Sequence, residues 1–170
     1  MSTLLCLAFY GILLAMATPG CSLNAAPQAS RPRPDCEQVV SAGCEPLENP
    51  ICLGATLPYQ YTSLVLADDV SSQSDVATRL RLWSGLSAVP RCWDVVQPYL
   101  CAVYLPRCQN QTLDSGATSI NVSVVQLPAK ELCDATSSAC RIVAAYGGWP
   151  YYLSCENSQF VQGCIVSNVL

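Results

Sequence analysis

Cysteine content constrains the fold of this chain more than any other feature. The 170 residues include twelve cysteines, ten of which lie between Cys36 and Cys164. Thiolate metal sites need closely spaced cysteine pairs or histidines, and the sequence has neither a C-x2-C pair nor a histidine. We therefore expect no metal, and a small exported domain held together by disulfides. Ten cysteines can pair in hundreds of ways, so their number alone does not give the connectivity.

The first 35 residues predict export. Leu4 to Ala17 form an uncharged apolar run that is shorter than the roughly 20 residues needed to cross a bilayer. Because this run ends in the small-x-small motif Ala15-Met16-Ala17, we expect a signal peptide over residues 1–17, with cleavage after Ala17 or alternatively Gly20. Residues 18–35 contain four prolines and predict a flexible lead-in. Cys6 would leave with the signal peptide, and Cys21 would have no partner.

Composition argues for binding rather than catalysis. The absence of histidine removes the usual general base, and the acidic turn around Asp68, Asp69 and Asp75 has no nucleophile in register. We therefore expect no enzyme activity. Eight basic and twelve acidic residues give a net charge of -4 without a basic run, so nucleic acid is not expected as a partner.

Apolar periodicity predicts three helices. Val76, Leu80 and Trp83 share one face of a helix over about residues 73–86. A second helix begins at Pro90 and extends toward Tyr104, with a kink or restart at Pro98. The third covers 130–146 and stops at two glycines, 147 and 148.

The segment between Cys108 and Cys133 is polar and rich in turn-forming residues. It contains two acceptor motifs for N-linked glycans, at Asn110 and Asn121. We expect a glycosylated surface insertion.

The cysteine spacing resembles a known family. The motifs Cys92-x8-Cys101-x6-Cys108, Cys133-x6-Cys140 and Gly148-Trp149-Pro150-x2-Leu153-x-Cys155 resemble the Frizzled-type cysteine-rich domain. The blocks around Cys44-Glu45-Pro46-Leu47 and Leu82-Trp83-Ser84-Gly85-Leu86 are similar to the Smoothened branch of the Frizzled/Smoothened receptors. The expected fold is mainly α and disulfide-rich, with about four short helices and minor β-strand. It would cover residues 36–164, leaving 165–170 as the end of a possibly truncated chain.

The resemblance also implies a disulfide pattern. The implied pairs are Cys36–Cys164, Cys44–Cys108, Cys52–Cys101, Cys92–Cys140 and Cys133–Cys155. Two features depart from the family, because the first two of these cysteines are eight residues apart and the segment between Cys108 and Cys133 is longer than expected.

By the same resemblance, the domain would be the extracellular, sterol-binding part of a Smoothened-like seven-helix receptor in Hedgehog signalling. The ligand would be cholesterol or an oxysterol, with no cofactor. Asp69, or Asp68 beside it, would accept a hydrogen bond from the sterol hydroxyl. The positions that match the walls of the family's groove are Leu82, Trp83, Gly85, Leu86, Tyr104, Trp149, Pro150 and Tyr152. The alternative for Trp83, Trp93, Tyr104 and Trp149 is ordinary core packing.

A second function stays open. The chain could be a secreted decoy, like the Frizzled-related proteins, that holds a lipid or a lipid-modified Wnt-type ligand. The receptor hypothesis places the domain on the extracellular face of the plasma or ciliary membrane, with the membrane part of the same receptor as its partner. A natural end at Leu170 would instead predict a secreted protein.

Overall fold

The computed structural model describes residues 36–114, 116 and 118–164. The expected signal peptide (1–17), the lead-in (18–35) and residues 165–170 lie outside the described residues. Across the described part of the chain, no helix is both long and apolar enough to cross a membrane.

Five disulfides connect distant parts of the domain. They join the same five pairs that the family resemblance implies: Cys36–Cys164, Cys44–Cys108, Cys52–Cys101, Cys92–Cys140 and Cys133–Cys155. The first closes 128 residues of chain and the last closes 22. Closing loops of this size removes about 3 to 5 kcal/mol of unfolded-state entropy per bridge in the chain-entropy model. A domain of modest size therefore depends strongly on its bridges.

Four α-helices follow the first part of the chain: α1 (Gln73–Trp83), α2 (Pro90–Tyr104), α3 (Lys130–Ala139) and α4 (Arg141–Ala145). Two short 3-10 helices lie at Ser84–Ala88 and Tyr151–Leu153. The side chain of Ser72 caps α1 by accepting a hydrogen bond from the Asp75 backbone N–H. Val76 and Leu80 are buried on the face that the periodicity predicts. The mainly α, disulfide-rich fold class is thus confirmed.

Two helix predictions need correction, and one of the two alternatives at Pro98, a restart, is excluded. The α1 helix ends at Trp83 and continues as the 3-10 helix Ser84–Ala88, not as α-helix to 86. The α2 helix runs through Pro98 without restarting. The expected third helix is divided at Cys140, whose φ of -101° and ψ of 42° interrupt the α conformation where this residue is tied to Cys92.

Seven strands complete the fold: β1 (Glu37–Val40), β2 (Glu45–Pro46), β3 (Ile51–Cys52), β4 (Ala55–Thr56), β5 (Tyr61–Thr62), β6 (Cys108–Asp114) and β7 (Ser119–Gln126). Two strands of the antiparallel sheet β1-β7-β6, namely β6 and β7, lie in the segment between Cys108 and Cys133 that we expected to be a turn-rich surface insertion. The run from Ile120 to Val125 alternates β-branched and polar side chains before ending on two valines, a pattern that favours strand. The turn-rich composition of its surroundings concealed this signal.

Helix α2 forms the centre of the core. Its Val96, Tyr99, Leu100 and Val103 side chains are almost completely buried, and α2 packs against α3. The Tyr99 hydroxyl donates a hydrogen bond to the backbone carbonyl of Leu153. This bond fixes residues 149–153 against the helix and thereby positions one side of the candidate site.

Candidate functional site

Two tryptophans from distant parts of the chain meet at the centre of the candidate site. Trp83 is the last residue of α1, and Trp149 precedes the 3-10 helix Tyr151–Leu153. Their rings stack with centroids 5.4 Å apart and planes inclined by 22°. Both side chains are partly buried against the core. The two expected groove walls are therefore in direct contact in this structure.

The core holds Trp149 from its other side. The Tyr99 ring meets the indole edge-on at a centroid distance of 5.8 Å and stacks on Phe160 at 5.6 Å. Burial raises the pKa of Tyr99, and repulsion from an ionised Tyr104 would add to the shift. Trp149 thus packs against buried aromatic side chains of the core.

A pair of tyrosine hydroxyls lies beneath the tryptophans. The hydroxyl oxygens of Tyr104 and Tyr152 are 2.9 Å apart, and their rings cross at 77°. The Trp83 side chain lies close enough to the Tyr104 hydroxyl to oppose part of the rise in its pKa. Tyr104 is 0% and Tyr152 8% exposed, and burial is the main cause of the raised pKa of each. Both expected wall residues therefore support the site from within the core in this structure.

Asp69 lies beside this tyrosine pair. Its Oδ2 forms an ion pair with Arg79 Nε at 2.9 Å. Its Oδ1 is shielded from solvent and has no hydrogen bond within ordinary limits of distance and angle. The carboxylate is still close enough to Tyr152 to contribute to the raised pKa of that hydroxyl. Arg79 was not among the predicted site residues, although it precedes Trp83 by one helical turn, which is the signal that could have found it.

The two neighbouring aspartates face different surroundings. Asp68 is exposed and lines a separate surface cavity of about 410 Å³ together with Asn157 and Gln159. Asp69 is the one that points toward Tyr152 and Arg79. The geometry favours Asp69 over Asp68 as part of the tyrosine–tryptophan cluster.

The outer surface of the site is apolar and open. Leu82 is 71% exposed, and Leu86 and Pro150 are partly buried. A methyl group added to Gly85 would meet no heavy atom within 4 Å. Tyr151, which the sequence did not single out, is also 71% exposed beside Pro150. The arrangement offers exposed and partly buried aliphatic and aromatic side chains, with the Asp69 carboxylate beside the buried tyrosine pair.

No group of three or more histidine, cysteine, aspartate or glutamate side chains within residues 36–114, 116 and 118–164 could hold a metal ion. The chemistry available at the cluster is apolar contact together with hydrogen bonding. Such a combination suits an apolar ligand that carries one hydroxyl or similar donor.

Comparisons with known proteins agree on one family. The family model described as "Fz domain" matches residues 44–162. Protein smoothened of Danio rerio is 46% identical over 125 residues, which are 73% of this chain and 14% of that protein. The chain thus spans only a small part of the length of its curated relatives.

Two solved structures are similar over nearly their whole length. The selenomethionine-labelled Smoothened CRD has 44% identity and a TM-score of 0.64, with 76% of this chain and 99% of that chain covered. The Xenopus Smoothened cysteine-rich domain in complex with cyclopamine has 45% identity and a TM-score of 0.61, with coverages of 74% and 99%. The disulfide frame, the helical core and these matches lead to one conclusion: the chain belongs to the Fz-domain family and carries an extracellular cysteine-rich domain of the Smoothened type.

Proposed function

We propose that this domain binds a sterol on the surface formed by Leu82, Trp83, Gly85, Leu86, Trp149 and Pro150. It would do so as the extracellular part of a Smoothened-like receptor in Hedgehog signalling. The observation that carries the proposal is the combination of two partly buried indoles, open space over Gly85 and a shielded Asp69 oxygen without a hydrogen-bond partner. The Xenopus relative solved with cyclopamine, a sterol-like ligand, supports the ligand class.

The apolar surface would supply most of the affinity. Covering roughly 400 Å² of sterol at about 25 cal/mol per Å² releases on the order of 10 kcal/mol before the entropic cost of binding. Separating the stacked indoles of Trp83 and Trp149 would cost about 0.5 to 1.5 kcal/mol beyond the apolar area that they bury, and a ligand in contact with both rings would bury that area again. The stack is therefore no barrier to a ligand that lies across or between the two rings.

Asp69 would orient the ligand. Arg79 occupies Oδ2, which leaves the shielded Oδ1 as an acceptor for a hydroxyl hydrogen. A hydrogen bond to a charged acceptor contributes about 1.5 to 3 kcal/mol, less than the apolar surface. Shape would thus set the affinity, and Asp69 would set the orientation of the sterol.

Tyr104 and Tyr152 would affect sterol binding indirectly, through the residues that they contact. Their hydroxyl pair joins the Trp83 indole to the neighbourhood of Asp69. Replacing Tyr152 by phenylalanine would remove one hydroxyl from this network without removing the ring. We expect a modest loss of sterol affinity and a largely intact fold.

Capture on a cholesterol-coupled resin tests the proposal. We expect the secreted, oxidised domain to bind, Trp83→Ala to lose binding and Asp69→Asn to weaken it by about 10-fold or more, in line with the loss of one charge-assisted hydrogen bond. Asp68→Asn is the matched control because Asp68 is exposed and lines a different cavity. Unchanged capture by both Trp83→Ala and Asp69→Asn would contradict the proposed site. Preferential capture of a lipid-modified Wnt-type ligand would favour the decoy function instead.

The receptor part of the proposal needs a separate test. Reading the transcript 3′ of the Leu170 codon is expected to reveal seven apolar spans, whereas a stop codon there would favour a secreted decoy. A chimera that carries this domain in place of the extracellular domain of vertebrate Smoothened, expressed in Smoothened-deficient cells, should restore a sterol-dependent Hedgehog response. A silent but surface-expressed chimera would argue against this role.

A further inference from the structure

The two N-glycan acceptor motifs lie opposite each other on the β6–β7 hairpin. The strand register pairs Asn110 with Ser123 and Thr112 with Asn121. Residues directly opposite each other in an antiparallel pair share a face, as do residues two apart on one strand. Both acceptor asparagines and both motif hydroxyls therefore stand together on one face of the hairpin. Asn110 and Asn121 are exposed.

The two motifs exchange their hydroxyl groups across the strands. Thr112 Oγ1, from the first motif, donates to Asn121 Oδ1 at 2.9 Å. Ser123 Oγ, from the second motif, donates to Asn110 Oδ1 at 2.8 Å. In the folded hairpin, each hydroxyl is therefore engaged by the asparagine of the other motif, not by its own.

We propose that Asn110 and Asn121 both carry N-linked oligosaccharides, and that both are transferred before the hairpin is locked into the folded domain. The acceptor motif requires the hydroxyl two residues after the asparagine. When the strands pair, each hydroxyl donates its hydrogen bond to the asparagine of the other motif. The completed hairpin is therefore a poor glycan acceptor at both positions. In the chain before strand pairing, the hydroxyl of each motif is free to serve the asparagine of its own motif.

The transfer step is a substitution at the anomeric carbon of a polyprenyl diphosphate-linked oligosaccharide. A C–N bond forms to the asparagine Nδ2, and the anomeric C–O bond to the diphosphate breaks. The amide nitrogen loses one proton, and the polyprenyl diphosphate leaves with the bonding electron pair. No oxidant or reductant is needed.

The order of folding leaves time for the transfer. An isolated two-stranded hairpin is only marginally stable in water, so the strands separate often until further contacts hold them. Those contacts are the pairing of β1 with β7 and the disulfide that joins Cys108, the first residue of β6, to Cys44. Transfer has to precede these two events. The glycans then stand at diagonal positions on one face, about 7 to 8 Å apart at their Cα atoms.

Occupancy is tested by intact mass with and without peptide N-glycosidase, on protein secreted from a eukaryotic host. We expect two glycans on the wild type, one on each of Asn110→Gln and Asn121→Gln, and one on Thr112→Ala. Thr112→Ser is the matched control, since it keeps a hydroxyl and should keep both glycans. Secreted wild type with fewer than two glycans would overturn the proposal.

The timing is tested by offering bacterially produced domain to purified oligosaccharyltransferase and its lipid-linked donor. We expect the reduced, unfolded chain to accept glycans at both asparagines and the refolded, oxidised domain to accept at least 10-fold less at each. Equal acceptance by the two forms would refute the requirement for an open hairpin. Sterol capture by the refolded sample is measured in parallel, so that failure of this inference is distinguished from failure of the proposed function.

Discussion

The Gly85→Ala substitution separates the role of this residue in folding from its proposed role in binding. The added methyl would meet no heavy atom of the protein within 4 Å, and the backbone of Gly85 does not adopt a positive φ. Alanine in a helical segment is about 0.5 to 1 kcal/mol more favourable than glycine. The folded domain should therefore keep its stability or gain a few degrees in Tm.

A bound sterol would lose affinity at the same position. An extra methyl inserted into a close-packed contact costs about 1 to 3 kcal/mol, which corresponds to about 5- to 140-fold weaker binding. Thermal unfolding by circular dichroism and titration with a fluorescent sterol measure the two effects on one sample. Ser87→Ala, an exposed position in the same 3-10 helix, is the matched control and should change neither.

Two results would refute this reasoning. Wild-type affinity in a stably folded Gly85→Ala domain would show that no ligand lies over Gly85. A marked loss of stability would show that the space above this residue is not open.

Three further predictions concern the fold itself. Burial raises the pKa of four tyrosine hydroxyls, those of Tyr59, Tyr99, Tyr104 and Tyr152, so as the pH rises these groups ionise in the unfolded chain before they ionise in the folded domain. The free energy of unfolding should therefore be retained below pH 10 and fall above it by up to about 1.4 kcal/mol per pH unit for each tyrosine. A free energy of unfolding that stays constant from pH 9 to 11 in urea titrations would contradict this prediction. Replacing both Cys36 and Cys164 by alanine opens a loop of 128 residues and should lower the free energy of unfolding by about 5 kcal/mol, whereas an unchanged urea midpoint would argue that the bridge is dispensable. Ser72→Ala removes the cap of α1 and should cost about 1 kcal/mol in the same assay, with Ser74→Ala as an exposed control that should cost less.

The local patterns were informative about the helices. The spacing of Val76, Leu80 and Trp83 correctly predicted the buried face of α1, because helical periodicity is a property of neighbouring residues. Pro90 marked the start of α2 for the same reason. Predictions that depended on where one element ends were less accurate, as the division of the third helix at Cys140 illustrates.

The strands and the site depended on contacts that no local pattern encodes. The β6–β7 hairpin is stabilised by pairing with β1, which lies far upstream in the sequence. Arg79 became part of the site only because the fold brings Asp69 within 2.9 Å of it. Tyr104 and Tyr152 matched the family's groove positions, yet packing placed both beneath the surface.

The sequence by itself determined that ten cysteines without metal-site spacing would form a disulfide-rich domain, and its motifs identified the family. Their pairing was implied by the family resemblance and not by the cysteine count, since spacing along a chain does not specify distance in space. Only the tertiary structure decided that Trp83 stacks on Trp149 and that one oxygen of Asp69 is shielded without a partner. Such contacts join residues far apart in the chain, and they arise from the path that the core and the disulfides impose on the backbone.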